Sequence, residues 1–503
     1  MKIIVGLLIA LCLAFSIVAC TSTPIKEFKK HAVVINGEGN ILIPRATNNN
    51  ANSQQTKDSR FDILECPSGT DSERCAFDIY IEALFEAVES RSDKCPIQSK
   101  DVIIFVHGGL NNLNNSTDRA NKLINKYMRG GTCPYYPILI NWDSGFFESY
   151  AEHLFAIRQG ETNKLVAIPT SPLYFATDVG RGLIRAPIDI LSTTYHDAQT
   201  IPLVQSTTNN FRSNAKIIHS KLKEQLPDNV SHGNKLEWGL QTFYKVPINI
   251  ITWLPQLALS PIVDAFGKPA WDNMQRRTKV LYNNPKEFDI EKDKNIAERA
   301  IRGLPKSVMD VFAKQLMQYT KKHQDTNITL VGHSMGSFII NDLLKKHPEI
   351  TNIRNIIYMA GADSVRNTFN SIMPYLERNK DTKFYNLTLH PQNEVEESNY
   401  YLLPRGSLLV WIDDFYSIPY TIFDRTVGRW ENVIQSYGEI PKGVRHQVYI
   451  KAFDQTSAIT RHGDFGRALF WDERFWKPGR DDHDPWPEDG FYYCDSWFCK
   501  SSN

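Results

Sequence analysis

A serine between two glycines gives the strongest chemical signal in this sequence. The apolar run Ile328–Val331 leads into Gly332–Gly336, which reads GHSMG, and the apolar stripe of Phe338–Leu344 follows at once. A G-x-S-x-G pattern between a strand and a helix places its serine in a strained turn, where larger side chains would collide with neighbouring backbone. The turn presents the hydroxyl of Ser334 and directs the N–H of Met335 at an anion forming on a substrate. The pattern therefore predicts a nucleophilic serine.

Six short apolar runs predict the strands that position this serine. Stripes with helical spacing separate most of them, such as Ala120–Met128 and Val308–Tyr319. Strand, helix and strand in succession are typical of βαβ units, so we expect a doubly wound, mostly parallel α/β sheet. The functional site of such a sheet lies at the carboxyl ends of its strands. The six runs are 101–106, 136–142, 328–331, 353–359, 384–389 and 448–453.

With these elements around the serine, the chain from about Asp101 to Asp472 resembles α/β-hydrolases of the serine esterase and lipase type. The resemblance implies an α/β-hydrolase sheet with a large helical cap insertion. It also implies that a serine, a carboxylate and a histidine base follow one another in that order along the chain. A family of this kind needs no cofactor.

This order assigns the base. His462 follows the last predicted strand and is followed closely by a glycine and an aromatic residue, as in many members of the family. His446 precedes that strand, His390 ends a different strand, and His333 lies inside the serine turn. His462 is therefore the expected general base, and a solvated loop histidine is the alternative.

The resemblance also assigns the second oxyanion donor to the loop after an earlier strand, which often begins with His-Gly. The run 101–106 ends in such a loop, with His107 at its start. We expect the N–H of Gly109, or of Leu110, to join that of Met335 in the oxyanion hole. His107 precedes the nucleophile and is expected to have a structural role.

Several carboxylates compete for the role of catalytic acid. The family's commonest acid position lies just past the strand 384–389, which favours Glu394 and then Glu396. Asp363 follows the preceding strand, at the position that some lipases use. Each of them would orient His462 and stabilise its cation without taking its proton.

The N-terminus predicts export and a lipid anchor. Lys2 precedes the uncharged apolar run Ile3–Val18, which is typical of a secretory signal, and the run ends at a sequence resembling the bacterial lipobox. We expect the mature chain to begin at Cys20 with lipid attached to that cysteine, and an uncleaved apolar anchor is the alternative. Because Thr21 replaces the Asp that retains such proteins in the inner membrane, we expect the periplasmic face of an outer membrane.

Six further cysteines agree with an oxidising compartment. Six cysteines allow 15 pairings, and short spacings favour two local loops and one longer bridge. A metal site is the alternative, but the sequence has no C-x-x-C pair and no clustered histidines. The favoured pairs are Cys66 with Cys75, Cys494 with Cys499, and Cys95 with Cys133.

The long segment between the second and third predicted strands is expected to cover the site. It contains two strongly apolar stretches, Ala167–Leu191 and Val246–Phe266. Three prolines interrupt the second stretch and argue against a membrane span, whereas an interfacial contact with lipid stays open. The expected divisions are a signal peptide (1–19), a flexible tether (20–60), the first part of the hydrolase domain (61–142), a cap or lid insertion (143–300), and the second part with a C-terminal aromatic tail (301–503).

Composition excludes other partners. Of 503 residues, 42% are hydrophobic, which is typical of a globular chain, and 57 Lys and Arg balance 56 Asp and Glu. A chain with so little net charge attracts polyanions poorly, so we expect no nucleic acid. The run Asp481–Asp484 includes a histidine but favours a solvated turn over a metal site.

Together these patterns favour hydrolysis of a carboxylic ester, from a small molecule or a lipid, through an acyl-enzyme. Transfer of the acyl group to an alcohol would use the same residues. A non-catalytic envelope-binding lipoprotein with an inert serine is the alternative from another class. The sequence leaves the substrate and the oligomeric state open.

Overall fold

A computed structural model describes residues 28–44, 61–64, 76–90, 101–129, 135–158, 160–199, 230–231, 241–282, 307–397, 403–453, 457, 459–468 and 470–477. The predictions for the signal peptide, for Cys20, for the six disulfide cysteines and for the tail beyond residue 477 lie outside these residues.

The described residues form an α/β fold around one mixed, mostly parallel sheet. In chain order its strands are β1 (Ala32–Ile35), β2 (Ile41–Pro44), β3 (Phe61–Leu64), β4 (Val102–Val106), β5 (Tyr136–Trp142), β8 (Val230–Ser231), β9 (Ile328–His333), β10 (Ile353–Met359), β11 (Lys383–Leu389) and β12 (Val448–Phe453). Their spatial order is β3-β2-β1-β5-β4-β9-β10-β11-β12-β8. Within it, β2 runs antiparallel to both neighbours and the other pairs are parallel. The short strands β6 (Ile157–Arg158) and β7 (Glu161–Thr162) form a separate pair.

The α-helices of the described chain are α1 (Phe28–His31), α2 (Ala76–Ser90), α3 (Leu113–Arg129), α4 (Phe146–Phe155), α5 (Lys164–Gln199), α6 (Gln241–Val280), α7 (Val308–Lys322), α8 (Gly336–Lys346), α9 (Val365–Arg378), α10 (Pro391–Glu396), α11 (Leu408–Trp411), α12 (Trp430–Gln435) and α13 (Glu473–Trp476). None of them is both long enough and apolar enough to cross a membrane.

The six predicted strands are confirmed as β4, β5 and β9 to β12. Every residue of β4, β5 and β9 is buried, as expected for parallel strands covered on both faces. Such strands are short, continuous apolar runs, which is why the sequence identifies them.

The prediction of a flexible tether over residues 20–60 is wrong for residues 28–44. Strand β1 pairs in parallel with β5, with Ala32 opposite Leu139, and β2 returns antiparallel beside it. All four residues of β1 are buried, and Phe28 in α1 is fully buried. Two four-residue apolar runs inside a polar stretch carry little sequence signal, and the partner that joins β1 to the sheet lies about a hundred residues away.

One part of the expected cap insertion also belongs to the sheet. Val230 in β8 pairs in parallel with Ile450 in β12. The remaining described part of residues 143–300 is mainly the helices α4, α5 and α6. The C-terminal half of α6 packs on the body of the fold, where Trp271 contacts Phe338 of α8.

The chain reverses its direction of progress across the sheet at β4. From β4 it passes through α3 to β5 on one side, whereas β9 lies on the other side of β4. Val106 at the end of β4 stands opposite Gly332 in β9. In open α/β sheets the crevice at such a switch point is where ligands bind. The loops that follow β4 and β9 are therefore the ones placed to form a site.

Gly336, the first residue of α8, lies very close to β4. A substitution at this position therefore tests the packing of α8 on β4. A Cβ at position 336 would lie 2.3 Å from the carbonyl oxygen of Val106, a backbone atom that cannot move aside locally. We expect Gly336→Ala to lower the free energy of unfolding by about 2 kcal/mol in urea denaturation. The matched control is Gly438→Ala, because a Cβ there meets nothing within 4 Å. Equal stability of the two variants would contradict the close contact.

Candidate active site

The predicted serine occupies a strained turn at the end of β9. Ser334 has a φ of 49°, in the left-handed region that residues other than glycine rarely adopt. Its N–H donates to the carbonyl of Met359 (2.9 Å), and its own carbonyl accepts from the N–H of Ala362 (3.0 Å). These bonds to the end of β10 and to the loop after it hold the strained conformation in place.

The glycines on either side of the serine are required by close packing. Gly336 faces the backbone of β4, as described above. A Cβ on Gly332 would lie 2.9 Å from the Cδ1 of Ile340 and 3.1 Å from the carbonyl carbon of Gly336. The turn therefore folds back tightly on its own helix, and a side chain at position 332 would require Ile340 and the start of α8 to shift.

The loop after β4 lies directly on this turn. A Cβ on Gly108 would lie 2.8 Å from the Cβ of Ser334, and one on Gly109 would lie 2.6 Å from the Sδ of Met335. The next residue, Leu110, has a φ of 65°. The structure thus brings together the predicted nucleophile and both segments expected to supply oxyanion donors.

His107 has a structural role in the same loop. Its Nδ1 donates to the carbonyl of Gly108 (2.6 Å), and its Nε2 accepts from the N–H of Trp142 (2.9 Å). Burial lowers the pKa of His107 to about 4. With both ring nitrogens engaged, this histidine fixes the conformation of the glycine loop.

His462 begins the turn His462–Arg467 beyond β12 and reaches the serine turn. Its carbonyl accepts from the Nε2 of His333 (3.3 Å), and the two imidazole rings have centroids 5.3 Å apart. The Oγ of Ser334 and both ring nitrogens of His462 are buried without a hydrogen-bond partner. The structure therefore places His462 beside His333, the residue that precedes Ser334. No hydrogen bond joins His462 to Ser334.

Burial controls the protonation of these histidines. It lowers the pKa of His462 to about 4 and holds the pKa of His333 well below its ordinary value, where the nearby His462 contributes further. A neutral imidazole is the form that accepts a proton. His462 is thus in the state that a general base requires at neutral pH.

The carboxylates predicted for the acid are engaged elsewhere. Asp363 accepts from the side-chain amides of Asn341 (2.7 Å) and Asn367 and from the N–H of Ser364 (2.7 Å). The two bonds from Asn341 and Asn367 tie the loop after β10 to helices α8 and α9. Asp363 therefore stabilises the loop whose backbone is hydrogen bonded to the serine turn.

Glu394, the leading prediction for the acid, is fully buried in α10. One of its oxygens accepts from the hydroxyl of Ser407, and the other has no partner. Burial raises the pKa of Glu394 to about 7. Glu396 accepts instead from the side chain of Gln392 (2.6 Å). Neither contacts His462 through a hydrogen bond.

The carboxylate that does bind His462 is Glu397, which sequence reasoning missed. Its Oε2 accepts from the main-chain N–H of His462 (2.9 Å). Burial, with a further contribution from the nearby Glu394, raises the pKa of Glu397 to about 8. Glu397 directly follows α10 and lies in the same segment after β11 as Glu394. Its position next to the end of this helix is the sequence signal that could have suggested it as a partner of His462.

The site is closed in this structure. Only 1% of Ser334 and 6% of His462 are exposed to solvent. A substrate therefore has to displace surrounding side chains before it reaches the serine. Among the described residues, no group of three or more His, Cys, Asp or Glu side chains is arranged to hold a metal ion.

Comparison of the chain with models of known families, with curated proteins and with solved structures finds no match.

The low pKa of His462 predicts an acid-sensitive fold. An unfolded histidine binds a proton near pH 6.5, whereas the folded one does so only near pH 4, so stability is lost as pH falls below 6.5. Between pH 7 and pH 5 this one residue accounts for a loss of about 2 kcal/mol. We expect His462→Gln to lose that much less than the parent chain over this interval, as measured by urea unfolding at both pH values.

The matched control is His446→Gln, since His446 lies in the short turn Arg445–Gln447 that precedes β12, outside the site. An equal loss of stability in the parent chain and in His462→Gln would contradict the burial of a neutral His462.

Proposed function

We propose that this chain is a serine hydrolase with an α/β-hydrolase fold that cleaves carboxylic esters. The observation that carries the proposal is the contact of three segments at the switch point of the sheet. The strained Ser334, the glycine loop with Gly108 and Gly109, and the turn with His462 meet there. A nucleophile, a base and backbone donors at one sheet edge are the parts that acyl transfer needs.

In this mechanism the Oγ of Ser334 attacks the ester carbonyl while its proton passes to the Nε2 of His462. The N–H groups of Met335 and Gly109 hold the oxyanion, and its collapse expels the alcohol, which takes the proton from His462. Water then repeats the sequence on the acyl-enzyme. Because Ser334 and His462 are not hydrogen bonded in this structure, opening of the site and a new rotamer of His462 precede the attack.

We propose Glu397 as the acid that orients His462. Its carboxylate already binds the main-chain N–H of His462, and the Nδ1 of the same residue lies four bonds away. In the closed site Glu397 keeps its proton at neutral pH, because burial disfavours its charged form. When the site opens, hydration lowers this pKa and the proton of Glu397 passes to water, so that the resulting carboxylate stabilises the cation formed when His462 accepts the serine proton.

We further propose, from the sequence around Lys2 and Cys20, that the chain is exported and anchored by lipid in a bacterial envelope. A non-catalytic binding protein is the second candidate. The burial of Ser334 without a partner favours it, since that serine lacks the hydrogen bond of an active triad. The two candidates differ in whether Ser334 turns over an ester.

Ester turnover tests the proposal. We expect hydrolysis of p-nitrophenyl esters across a range of chain lengths, and loss of at least about 10³-fold in kcat/KM in Ser334→Ala. Ser371→Ala is the matched control, because Ser371 is also buried but donates only to the carbonyl of Asn367 on α9. No turnover by the parent chain, or equal turnover by both variants, would favour the binding protein. Added acceptor alcohols would reveal acyl transfer.

Substitution by the isosteric amide distinguishes the two glutamates. We expect Glu397→Gln to keep the contact with the His462 N–H through its amide oxygen, yet to lower kcat by about 10³-fold or more, because an amide does not stabilise the histidine cation. Glu394→Gln should change kcat by less than about tenfold. The reverse ranking, measured on the same esters, would assign the role to Glu394.

A further inference from the structure

Helix α5 has an inverted distribution of polar and apolar side chains. The exposure of every residue from Leu165 to Tyr195 is described, and each exposed residue among them is uncharged. The most exposed are large and aliphatic, with 90% of Leu165 and 82% of Ile184 accessible to solvent. A helix on the surface of a soluble domain shows the opposite pattern, with charges outward.

The charged residues of the same span face inward. They are Asp178, Arg181, Arg185 and Asp189, and both aspartates are buried. The Nη2 of Arg181 lies 2.5 Å from one oxygen of Asp264 in α6, and the Nε of Arg185 lies 3.0 Å from the other. Ion pairs thus occupy the position between the two helices where an apolar seam is usual.

Helix α6 repeats the inversion over residues 254–264. From residue 254 to residue 264, its buried polar residues recur every four positions, and so do its exposed apolar ones. The buried set is Gln256, Ser260 and Asp264, and the exposed set is Leu254, Ala258 and Ile262. We call this packed pair of helices the α5–α6 hairpin. Buried polar residues lie where α5 and α6 meet, and the outer face of the pair is apolar.

A glycine lets the two helices approach closely. A Cβ on Gly182 would lie 2.3 Å from the carbonyl oxygen of Pro261 and 2.9 Å from the Cβ of Ala265. Small residues at the contact, and paired ionisable groups facing the neighbouring helix, are features of helices packed in an apolar medium. The hairpin resembles such helices in both respects.

The apolar face is too long to be incidental. The span from Leu165 to Tyr195 measures about 45 Å along the helix axis. Single exposed apolar residues are normal, as at Ile79 in α2, which is 56% exposed. A continuous apolar face of this length instead indicates a surface that is covered in use.

The side chains of the apolar face of α5 favour lipid over a protein partner. Of its exposed residues, only Thr177 and Tyr195 have a side chain able to form hydrogen bonds, and the hydroxyl of Thr177 already donates to the carbonyl of Tyr174 (2.7 Å). A protein interface uses about one hydrogen bond per 100–200 Å² and a polar rim. Acyl chains need no hydrogen bonds, and the lipid proposed at Cys20 would hold the chain at a bilayer.

From these observations we propose that the outer face of the α5–α6 hairpin lies in the acyl layer of a lipid membrane, along its surface. The contact is separate from the N-terminal anchor and does not depend on the activity of Ser334. It places an apolar helix pair in the interface with its charges turned toward the protein.

Photochemical labelling from the lipid side tests the proposal. The full chain is reconstituted in vesicles of phosphatidylethanolamine and phosphatidylglycerol that carry a diazirine on one acyl chain. After illumination, adducts are mapped on peptides by mass spectrometry. We expect at least about tenfold more adducts on peptides covering 165–195 than on those covering α2, where Ile79 is exposed in isolation.

Two variants and a matched control support the assignment. Leu183→Glu combined with Ile184→Glu places charge in the middle of the face, and we expect it to reduce adducts on the hairpin at least about fivefold. Leu165→Glu, at a residue that is 90% exposed, keeps the test available if the double variant does not fold. Ile79→Glu introduces the same charge on another helix and should leave the hairpin adducts unchanged.

Adducts on the hairpin at the level of α2 would overturn the proposal. A dimer of the parent chain that the Leu183→Glu/Ile184→Glu variant converts to monomer, without acyl adducts on the hairpin, would assign the face to a second copy instead.

Discussion

The close approach of three backbone segments at the switch point is the constraint on which the rest of the structure depends. The end of β4, the turn after β9 and the loop after β4 are packed so tightly that side chains at positions 108, 332 and 336 would collide with their neighbours. The strained φ of Ser334 is held by hydrogen bonds to the end of β10 and to the loop after it. The parallel sheet and its covering helices thus act as the scaffold for the strained turn at Ser334.

Exclusion of water from the site determines the protonation states of the ionisable groups around this turn. Burial keeps His462 neutral and raises the pKa of both Glu394 and Glu397, so the site holds few charges while it is closed. Under the proposed mechanism, opening of the site to substrate and water lets Glu397 ionise before His462 accepts a proton. The closed state agrees with the absence of a hydrogen bond between Ser334 and His462, since neither the Oγ of Ser334 nor a ring nitrogen of His462 has a partner.

The sequence indicated the fold and the serine turn because both depend on local patterns. Buried parallel strands are continuous apolar runs, and a G-x-S-x-G turn needs its glycines at fixed spacing. Strands β1 and β2 escaped detection because each is only four residues long, and β1 joins the sheet through the distant strand β5. The contact of Glu397 with His462 joins residues 65 positions apart, and no local pattern predicts it. For α5, hydropathy indicated an apolar stretch, but only the structure shows that its apolar side faces outward.

The central claim is that Ser334 is a nucleophile, and covalent labelling by a fluorophosphonate probe tests it most directly, because the probe reacts with activated serines and not with ordinary ones. The full chain is treated in vesicles, and the modified residue is identified by tandem mass spectrometry. A single phosphonyl adduct on Ser334, absent when His462 is replaced by Gln, is the result we predict. An unlabelled Ser334 in folded protein, or an adduct that forms equally well without His462, would contradict it.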